Sequence, residues 1–269
     1  MLECVVNISE GRDIAFLAGL AELLRPHLLD VHTDAAHNRS VFTLVGTEAP
    51  RVLASHVVGR LSLPAHTGVH PRLGTVDVVP FVPLAGADFP AAVAARDDFA
   101  RWISSIHGVP AFLYGTGLTL PEVRRRAWRD LFPDTGPAVP HPTAGAVCAG
   151  AREVLVAYNV WLSGCTLEET RRIAARVRRP GIRTLGLQVG TLTQVSMNLV
   201  DQTLAGPREA FDAVRSECER TGAVVSHAEL VGLVPRAVLS SIPRGRWEEL
   251  DLSEDRTIEA RVSALGISR

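Results

Sequence analysis

The stretch GPAVPHPTAGAVCAGAREVLVAYNVWL, from Gly136 to Leu162, separates the chain into two halves. Its first part lies within Pro133–Gly150, a run rich in Pro, Gly and Thr that interrupts regular structure and predicts a linker. Its second part contains Glu153–Asn159 (EVLVAYN), which has the length and composition of a buried strand. We therefore expect a first subdomain over residues 1–148 and a second over residues 149–269.

The segments on either side of this stretch follow one order of elements. Apolar runs in the first half predict strands over Leu2–Asn7, Leu28–His32, Ser40–Gly46, Val76–Val82 and Ala111–Tyr114, with helices over 14–24, 49–61 and 89–106. The second half predicts strands over Glu153–Asn159, Arg183–Val189, Thr193–Val200 and Ala223–Leu233, with helices over Leu167–Val177, Pro207–Arg220 and Ser253–Leu265. A capping box is expected at Thr166 and Glu169, and Ser253 is expected to cap the last helix.

Each half thus reads strand–helix–strand–strand–helix–strand, the order of a ferredoxin-like unit. The predicted fold class is α/β (α+β), with two ferredoxin-like βαββαβ subdomains packed through their apolar sheet faces. Ligand sites favour domain interfaces, so we expect the functional site in the crevice between the two subdomains.

All 28 residues of the Lys and Arg class are arginine. The absence of lysine excludes a Schiff-base nucleophile, a lysine-dependent phosphate loop and the kinase strand lysine. Arginine does not give up its proton at working pH. Acid–base chemistry is therefore expected from the nine histidines or from Asp, Glu, Tyr or Cys.

Net charge, cysteine spacing and hydropathy indicate a cytoplasmic protein. The formal charge of -1 gives no general attraction to nucleic acid, so no nucleic-acid partner is expected. Four cysteines (Cys4, Cys148, Cys165 and Cys218) are far apart and predict reduced, structural thiols. No secretory signal pattern is recognised, and no apolar run reaches the ~18 residues of a membrane span, so no membrane association is expected.

The segment from His66 to Gly74 (HTGVHPRLG) concentrates chemical groups on one loop. His66 and His70 suit proton transfer near neutral pH, and Arg72 presents a rigid fork that can bind a carboxylate. An ordinary solvated connection is the alternative. The histidine spacing resembles helical zinc sites, but Gly68 and Pro71 disfavour a helix and the glutamate of HExxH is missing, so no metal is expected.

Two further loops are candidates for ligand contact. The segment Asp30–Ser40 carries His32, Asn38 and Arg39 between two core strands, although Asn38 could instead serve the turn itself. The glycines of Pro133–Ala146 would let a ligand approach the backbone, but a plain linker has the same composition.

The rest of the sequence contains none of the common motifs for cofactor binding. There is no GxGxxG sequence after a strand, no GxSxG elbow and no phosphate loop. The arginine runs Arg124–Arg126 and Arg171–Arg179 predict solvated helix faces, with contact to an anion or a partner as the alternative.

Taken together, the segments resemble the glutamate formiminotransferase family, whose members move a formimino group from formiminoglutamate to N5 of tetrahydrofolate. The similarity runs in order along most of the chain. It is carried by the segments Glu3–Arg12, Asp34–Gly46, His70–Leu84, Gly136–Leu162, Gln194–Asp201 and Glu229–Pro235.

The resemblance implies a tunnel between two α/β subdomains, a homodimer, tetrahydrofolate as co-substrate, and histidine degradation as the setting. It also implies that His70 is the catalytic acid and base. Arg72 is proposed from chemistry, because both substrates are anions, and His66, Asn38 and Arg39 are further candidates for substrate binding. The folate-contacting stretch would comprise Gly136, Pro137, Ala138, Val139, Pro140, His141, Pro142, Thr143, Ala144 and Gly145.

The sequence departs from the family pattern near His70. The pattern Lys-His-x-Gly-Glu-His becomes Ala65-His66-Thr67-Gly68-Val69-His70, and the second Asp of an Asp-x-Asp motif becomes His32, in the position of an orienting partner for the catalytic histidine. We expect no cyclodeaminase domain and no cyclodeaminase activity. Two alternatives therefore stay open: a diverged enzyme acting on another amidine or one-carbon donor or acceptor, and a non-catalytic protein that binds folate or an anion.

Overall fold

A computed structural model of the chain describes residues 1–266, which form two compact units. The first unit runs from Met1 to Glu153, and the second begins at Val154. Within the described residues, no helix has both the length and the apolar character that crossing a membrane requires.

The first unit contains six strands. They are β1 (Leu2–Ile8), β2 (Leu28–Asp34), β3 (Arg39–Val45), β4 (Val76–Pro83), β5 (Ala111–Tyr114) and β6 (Val147–Ala151). The helices are α1 (Ile14–Leu24), α2 (Ala49–Arg60), α3 (Phe89–His107) and α4 (Leu120–Arg126), with short 3₁₀ turns at Arg25–His27 and Leu63–Ala65. The sheet order is β2-β3-β1-β4-β6-β5. The first four strands are antiparallel, in the ferredoxin-like order, whereas β6 is parallel to both β4 and β5.

Strand β6 corrects the predicted linker. The prediction was wrong for residues 147–150, because Cys148 pairs with Val78 on one side and with Phe112 on the other, and every residue of β6 is buried. Small residues make this strand possible. A Cβ on Gly150 would lie 2.0 Å from the ring of Tyr114, so only glycine fits there.

Helix α4 corrects the expectation of a solvated face at Arg124 alone, because Arg125 is exposed and Arg126 pairs with the exposed Asp130. The helix begins after Thr119, whose backbone N–H donates to the Glu122 carboxylate (2.8 Å) in a capping box. Val123 is fully buried, and the Arg124 side chain is only 18% exposed because its guanidinium turns inward to Asp77. The capping box thus fixes the start of the helix, and the helix places the Arg124 guanidinium in the interior.

The described residues of the second unit have the ferredoxin-like order of elements. Its elements are β7 (Val156–Ser163), α5 (Leu167–Val177), β8 (Ile182–Val189), β9 (Leu192–Leu199), α6 (Pro207–Thr221), β10 (Val224–Val231), α7 (Arg236–Ser240) and α8 (Ile258–Ala264), with 3₁₀ turns at Arg244–Arg246 and Glu254–Arg256. The antiparallel sheet has the order β10-β7-β9-β8. The predicted βαββαβ order is confirmed for this unit and for the corresponding part of the first.

The two predicted caps of the second unit had different outcomes. The box at Thr166 and Glu169 is confirmed, since Thr166 N–H donates to the Glu169 carboxylate (2.7 Å) and Glu169 N–H donates to the Thr166 hydroxyl (3.2 Å). The Ser253 cap is wrong. A 3₁₀ turn follows Ser253, and Thr257 caps α8 by accepting from Ala260 N–H (3.2 Å).

The core of the first unit lies between α1–α3 and one face of the sheet, and a second apolar cluster packs under α4. The four cysteines are free thiols, and Cys4, Cys148 and Cys218 are buried. Burial raises the pKa of the Cys4 and Cys148 thiols well above the ordinary range, so neither is suited to act as a nucleophile.

Candidate functional site

Sheet topology collects the predicted loops at one edge of the first unit. The carboxyl end of β1 and the amino ends of β3, β4 and β6 lie at the same edge, because β1 is antiparallel to β3 and β4 while β6 is parallel to β4. The segments that precede or follow these strands, residues 9–13, 34–38, 66–75 and 136–146, therefore meet there.

A buried ion cluster supports this edge. Asp77 is fully buried in β4 and accepts from Arg39 Nη1 (2.7 Å), Arg124 Nη2 (2.5 Å) and Leu73 N–H (2.7 Å). Burial alone would raise the pKa of Asp77, but the two guanidinium groups and the N–H donor outweigh it and hold the pKa below its ordinary value. Asp77 is therefore ionised, and the cluster keeps one net positive charge.

His70 lies half-buried beside this cluster with one ring nitrogen committed. Its Nδ1 lies 2.8 Å from the carbonyl oxygen of Pro71. A carbonyl can only accept, so Nδ1 carries the proton and Nε2 keeps the basic lone pair. Desolvation, followed by the charges of Arg39 and Arg124, lowers the pKa of His70 to about 3. The imidazole is therefore a neutral base at physiological pH.

Arg72 and His66 brace the loop His66–Gly74, which carries His70. His66 Nε2 donates to the carbonyl of Asn38 (2.9 Å), and its Nδ1 accepts from Arg72 Nη1 (2.5 Å). Arg72 also donates to the carbonyl of His70 through Nε (3.1 Å) and Nη2 (2.6 Å). Desolvation lowers the pKa of His66, so this ring is neutral as well. The structure thus gives both residues an internal bracing role, and direct binding of substrate by either one stays a prediction.

Asn38 connects three loops from a left-handed backbone conformation (φ 47°) that asparagine tolerates. Its Oδ1 accepts from Gly11 N–H (2.9 Å), and its Nδ2 donates to the carbonyl of Thr67 (2.9 Å). Arg39, the next residue, is turned toward Asp77. Asn38 thus makes the contacts of a turn residue and Arg39 pairs with Asp77, while substrate binding by either residue stays a prediction.

The predicted folate stretch runs beside the loop that carries His70. Its second part is a tight turn in which His141 and Gly145 exchange two backbone hydrogen bonds (2.8 and 2.9 Å). The Ala144 carbonyl accepts from Thr75 N–H (2.9 Å), and Gly145 forms a β-bridge with Gly74. Residues 136–140 are exposed. The structure therefore brings residues 141–145 against the loop that carries His70 and leaves the preceding backbone open to a ligand.

Asp77 and Arg124 were not selected by the sequence reasoning. Asp77 gave one signal, a carboxylate inside the apolar run VDVVPFVP, where an unpaired charge would be costly. Arg124 gave another, because the sequence TLPE ahead of the arginines predicts a helix start. Neither signal identifies the other residue as its partner, since 47 residues separate them.

Gly68→Ala is expected to disrupt this loop. An added Cβ would lie 2.4 Å from the carbonyl oxygen of His37 and 2.8 Å from Arg72 Nη2, so the His70 segment must move. We expect a lower melting temperature and loss of most activity. Gly59→Ala in α2 is the matched control, because its Cβ meets nothing within 4 Å and the change is expected to stabilise by about 0.5–1 kcal/mol. Equal behaviour of the two variants in thermal unfolding and turnover would contradict the close packing at Gly68.

Over residues 1–266, no group of three or more His, Cys, Asp or Glu side chains is placed to hold a metal ion. An imidazole with guanidinium groups beside it, as at this edge, suits proton transfer.

Comparison with known proteins identifies the family. The model for the formiminotransferase domain, N-terminal subdomain, matches residues 1–152, and the model for the formiminotransferase domain matches residues 157–269. The chain belongs to the formiminotransferase family. This confirms the resemblance drawn from the sequence segments and makes the protein a transferase.

Curated relatives within the formiminotransferase family cover similar lengths. A glutamate formimidoyltransferase of Streptococcus pyogenes serotype M1 is 33% identical over 90% of this chain and 91% of its own. One from Thermoplasma acidophilum is 31% identical over 97% of each chain. A formimidoyltransferase-cyclodeaminase of Dictyostelium discoideum is 34% identical, but the match spans only 50% of that protein.

His32 takes the position of an aspartate in the formiminotransferase pattern, and the structure bears on its orienting role. It lies in β2 opposite Val41. The Pro71 carbonyl accepts the hydrogen bond from His70 Nδ1. A catalytic role for His32 therefore stays a prediction, and the backbone supplies the orientation.

Proposed function

We propose that this protein transfers the formimino group of formiminoglutamate to N5 of tetrahydrofolate, with His70 as the acid and base. The observation that carries the proposal is a neutral imidazole whose Nδ1 donates to a backbone carbonyl, which leaves the Nε2 lone pair to accept a proton. The curated names of two relatives, each matched over nine-tenths or more of its length, support the same activity.

The chemistry requires one group to move protons in both directions. The folate nitrogen attacks the formimino carbon, and the new C–N bond forms as this nitrogen loses its proton to His70 Nε2. The bond to the glutamate nitrogen then breaks, and His70 returns the proton to that leaving amine. General acid–base catalysis of this kind contributes about 10²–10⁴-fold, and holding the two substrates together contributes further.

Positive charge near His70 suits the anionic substrates. Arg12 is exposed in the loop after β1, and its Nη1 donates to the Thr67 hydroxyl (3.1 Å) within the catalytic segment. The ion cluster beneath adds one net positive charge. We assign the binding of substrate carboxylates to this positively charged surface. We assign contact with tetrahydrofolate to the exposed backbone of residues 136–140 and to the turn 141–145.

The setting follows from the same proposal. The protein would act in the cytoplasm as a homodimer, in the degradation of histidine, with tetrahydrofolate as its co-substrate. The free thiols are consistent with a reducing compartment.

A diverged donor or acceptor is the second candidate. The observation favouring it is the side of the loop next to His70, where Val69 is 50% exposed at a position that carries glutamate in the family pattern. Because Val69 carries no charge, this surface would suit an amidine substrate that lacks the charged group with which the family glutamate would pair.

Incubation with formiminoglutamate and tetrahydrofolate separates the candidates. We expect 5-formiminotetrahydrofolate to accumulate in proportion to the enzyme added. If no product forms while tetrahydrofolate still binds, formiminoglutamate and tetrahydrofolate are excluded as the substrate pair. Other amidine donors would then be tested as substrates.

The pH dependence of His70 gives a further prediction. With a pKa near 3, His70 remains neutral from pH 8 down to about pH 5, so its NMR ring signals are expected not to titrate over that range. The unfolded chain binds this proton below about pH 6.5, so the His70 contribution to stability falls as the pH drops from 6.5 toward 3. A titration midpoint close to 6.5 for His70 in the folded protein would disprove the burial argument.

A further inference from the structure

We propose that Arg124 is a positioning residue for His70, acting through the carbonyl group of Pro71. This inference rests on the proposed role of His70 in formimino transfer, but its geometry stands independently. It adds helix α4 to the functional part of the first unit.

One carbonyl oxygen links the two side chains. Pro71 O accepts from His70 Nδ1 (2.8 Å) and from Arg124 Nη1 (2.6 Å). A carbonyl has two lone pairs, so one pair can serve the imidazole while the other serves the cation. The hydrogen bond from the charged donor is the stronger of the two and fixes the oxygen that orients the ring.

Arg124 is itself held in place from two sides. Its Nη2 donates to Asp77 Oδ2 (2.5 Å), and Asp77 is fully buried. Val123, the preceding residue of α4, is fully buried in the apolar cluster below the helix. The guanidinium fork can reach a carboxylate and a carbonyl at once, whereas the single ammonium of a lysine lacks that fixed geometry.

The charge of Arg124 adds to its geometric role. The charged and titratable groups around His70 are Arg39 from β3, Asp77 from β4, Arg124 from α4, His37 from the β2–β3 turn and Arg72 from its own loop. Three cations against one carboxylate disfavour a further positive charge. Loss of Arg124 is expected to raise the pKa of His70 and to free its ring to change tautomer.

The test compares Arg124→Gln and Arg124→Lys with Arg125→Gln, a control on the exposed side of the same helix. Nitrogen NMR of His70 in the protein without substrate reports its tautomer and pKa. We expect the wild-type protein and the control to carry the proton on Nδ1. Arg124→Gln should show a mixture of tautomers, a raised pKa, and a kcat lowered about 10–100-fold while KM changes less than about twofold. Arg124→Lys should keep the low pKa yet lose the fixed tautomer.

Two outcomes would overturn the proposal. One is a folded Arg124→Gln protein whose His70 tautomer, pKa and kcat all match those of the control. The other is a wild-type His70 that carries its proton on Nε2, which excludes the carbonyl route even if no variant folds. The NMR measurement is made without substrate and does not depend on catalytic activity. Failure of the transferase assay can therefore be distinguished from failure of this inference.

Discussion

Replacing His70 with alanine is expected to lower kcat for formimino transfer by about 10²–10⁴-fold, the range that general acid–base groups contribute. The imidazole is the neutral base at the edge of the first unit where the predicted loops meet. The adjacent arginines cannot replace it because they keep their protons. Binding of tetrahydrofolate should survive, since the exposed backbone proposed to contact it lies in another segment. Steady-state turnover and equilibrium folate binding measure the two effects separately.

His56→Ala is the matched control for this experiment. His56 is exposed on α2, where its Nδ1 lies 2.9 Å from the carbonyl of Val52 in its own helix. Its removal should leave turnover and folate affinity unchanged. Turnover of His70→Ala at the wild-type rate would remove His70 from the mechanism, whereas joint loss of turnover and folate binding would give it a role in binding.

Asp77→Ala is expected to cost about 3–5 kcal/mol in the free energy of unfolding, because it leaves two buried guanidinium groups without their carboxylate. The same change should abolish turnover through loss of the fixed loop. Asp77 has a lowered pKa, so its contribution is present above its unfolded pKa of about 3.9 and is lost as the pH falls through its folded pKa. Urea unfolding at several pH values measures both the cost and its direction.

The surface pair of Asp130 with Arg126 (3.0 Å) provides the control for Asp77. Asp130→Ala should change the unfolding free energy little, because exposed ion pairs contribute little. Replacement of Arg39, Asp77 and Arg124 together by apolar residues of similar size should recover much of the stability lost in Asp77→Ala, without recovering turnover. If Asp77→Ala were no more harmful than Asp130→Ala, the buried cluster would not support the fold.

The order of elements could be predicted because hydrophobic periodicity is local. Strand β5 and helix α5 begin and end at the predicted residues, and the Thr166 capping box was visible in four consecutive positions. His70 and the stretch Gly136–Gly145 were selected from the resemblance. The structure places residues 141–145 of that stretch against the His70 loop through hydrogen bonds that no local pattern contains.

What could not be predicted depends on partners distant in the sequence. The alanines and glycine of β6 are typical of a loop until β4 and β5 are placed on either side of them. Arg124 has the sequence context of a solvated helix, and only the position of Asp77 turns it inward. The orientation of His70 depends on a backbone carbonyl, which any residue at position 71 would carry and which composition therefore cannot signal.

The insertion of β6 between β4 and β5 has a consequence for synthesis on the ribosome. Val78 can pair with Cys148, 70 positions later in the sequence, only after that residue has been synthesised, and the sheet is incomplete until then. Until then β5 lacks its neighbouring strand, because β6 lies between β4 and β5 in the sheet. Distant pairing of this kind slows folding. The edge that carries His70 is therefore completed by the last strand of the first unit to leave the exit tunnel, and a chain that is released before that strand emerges cannot complete it.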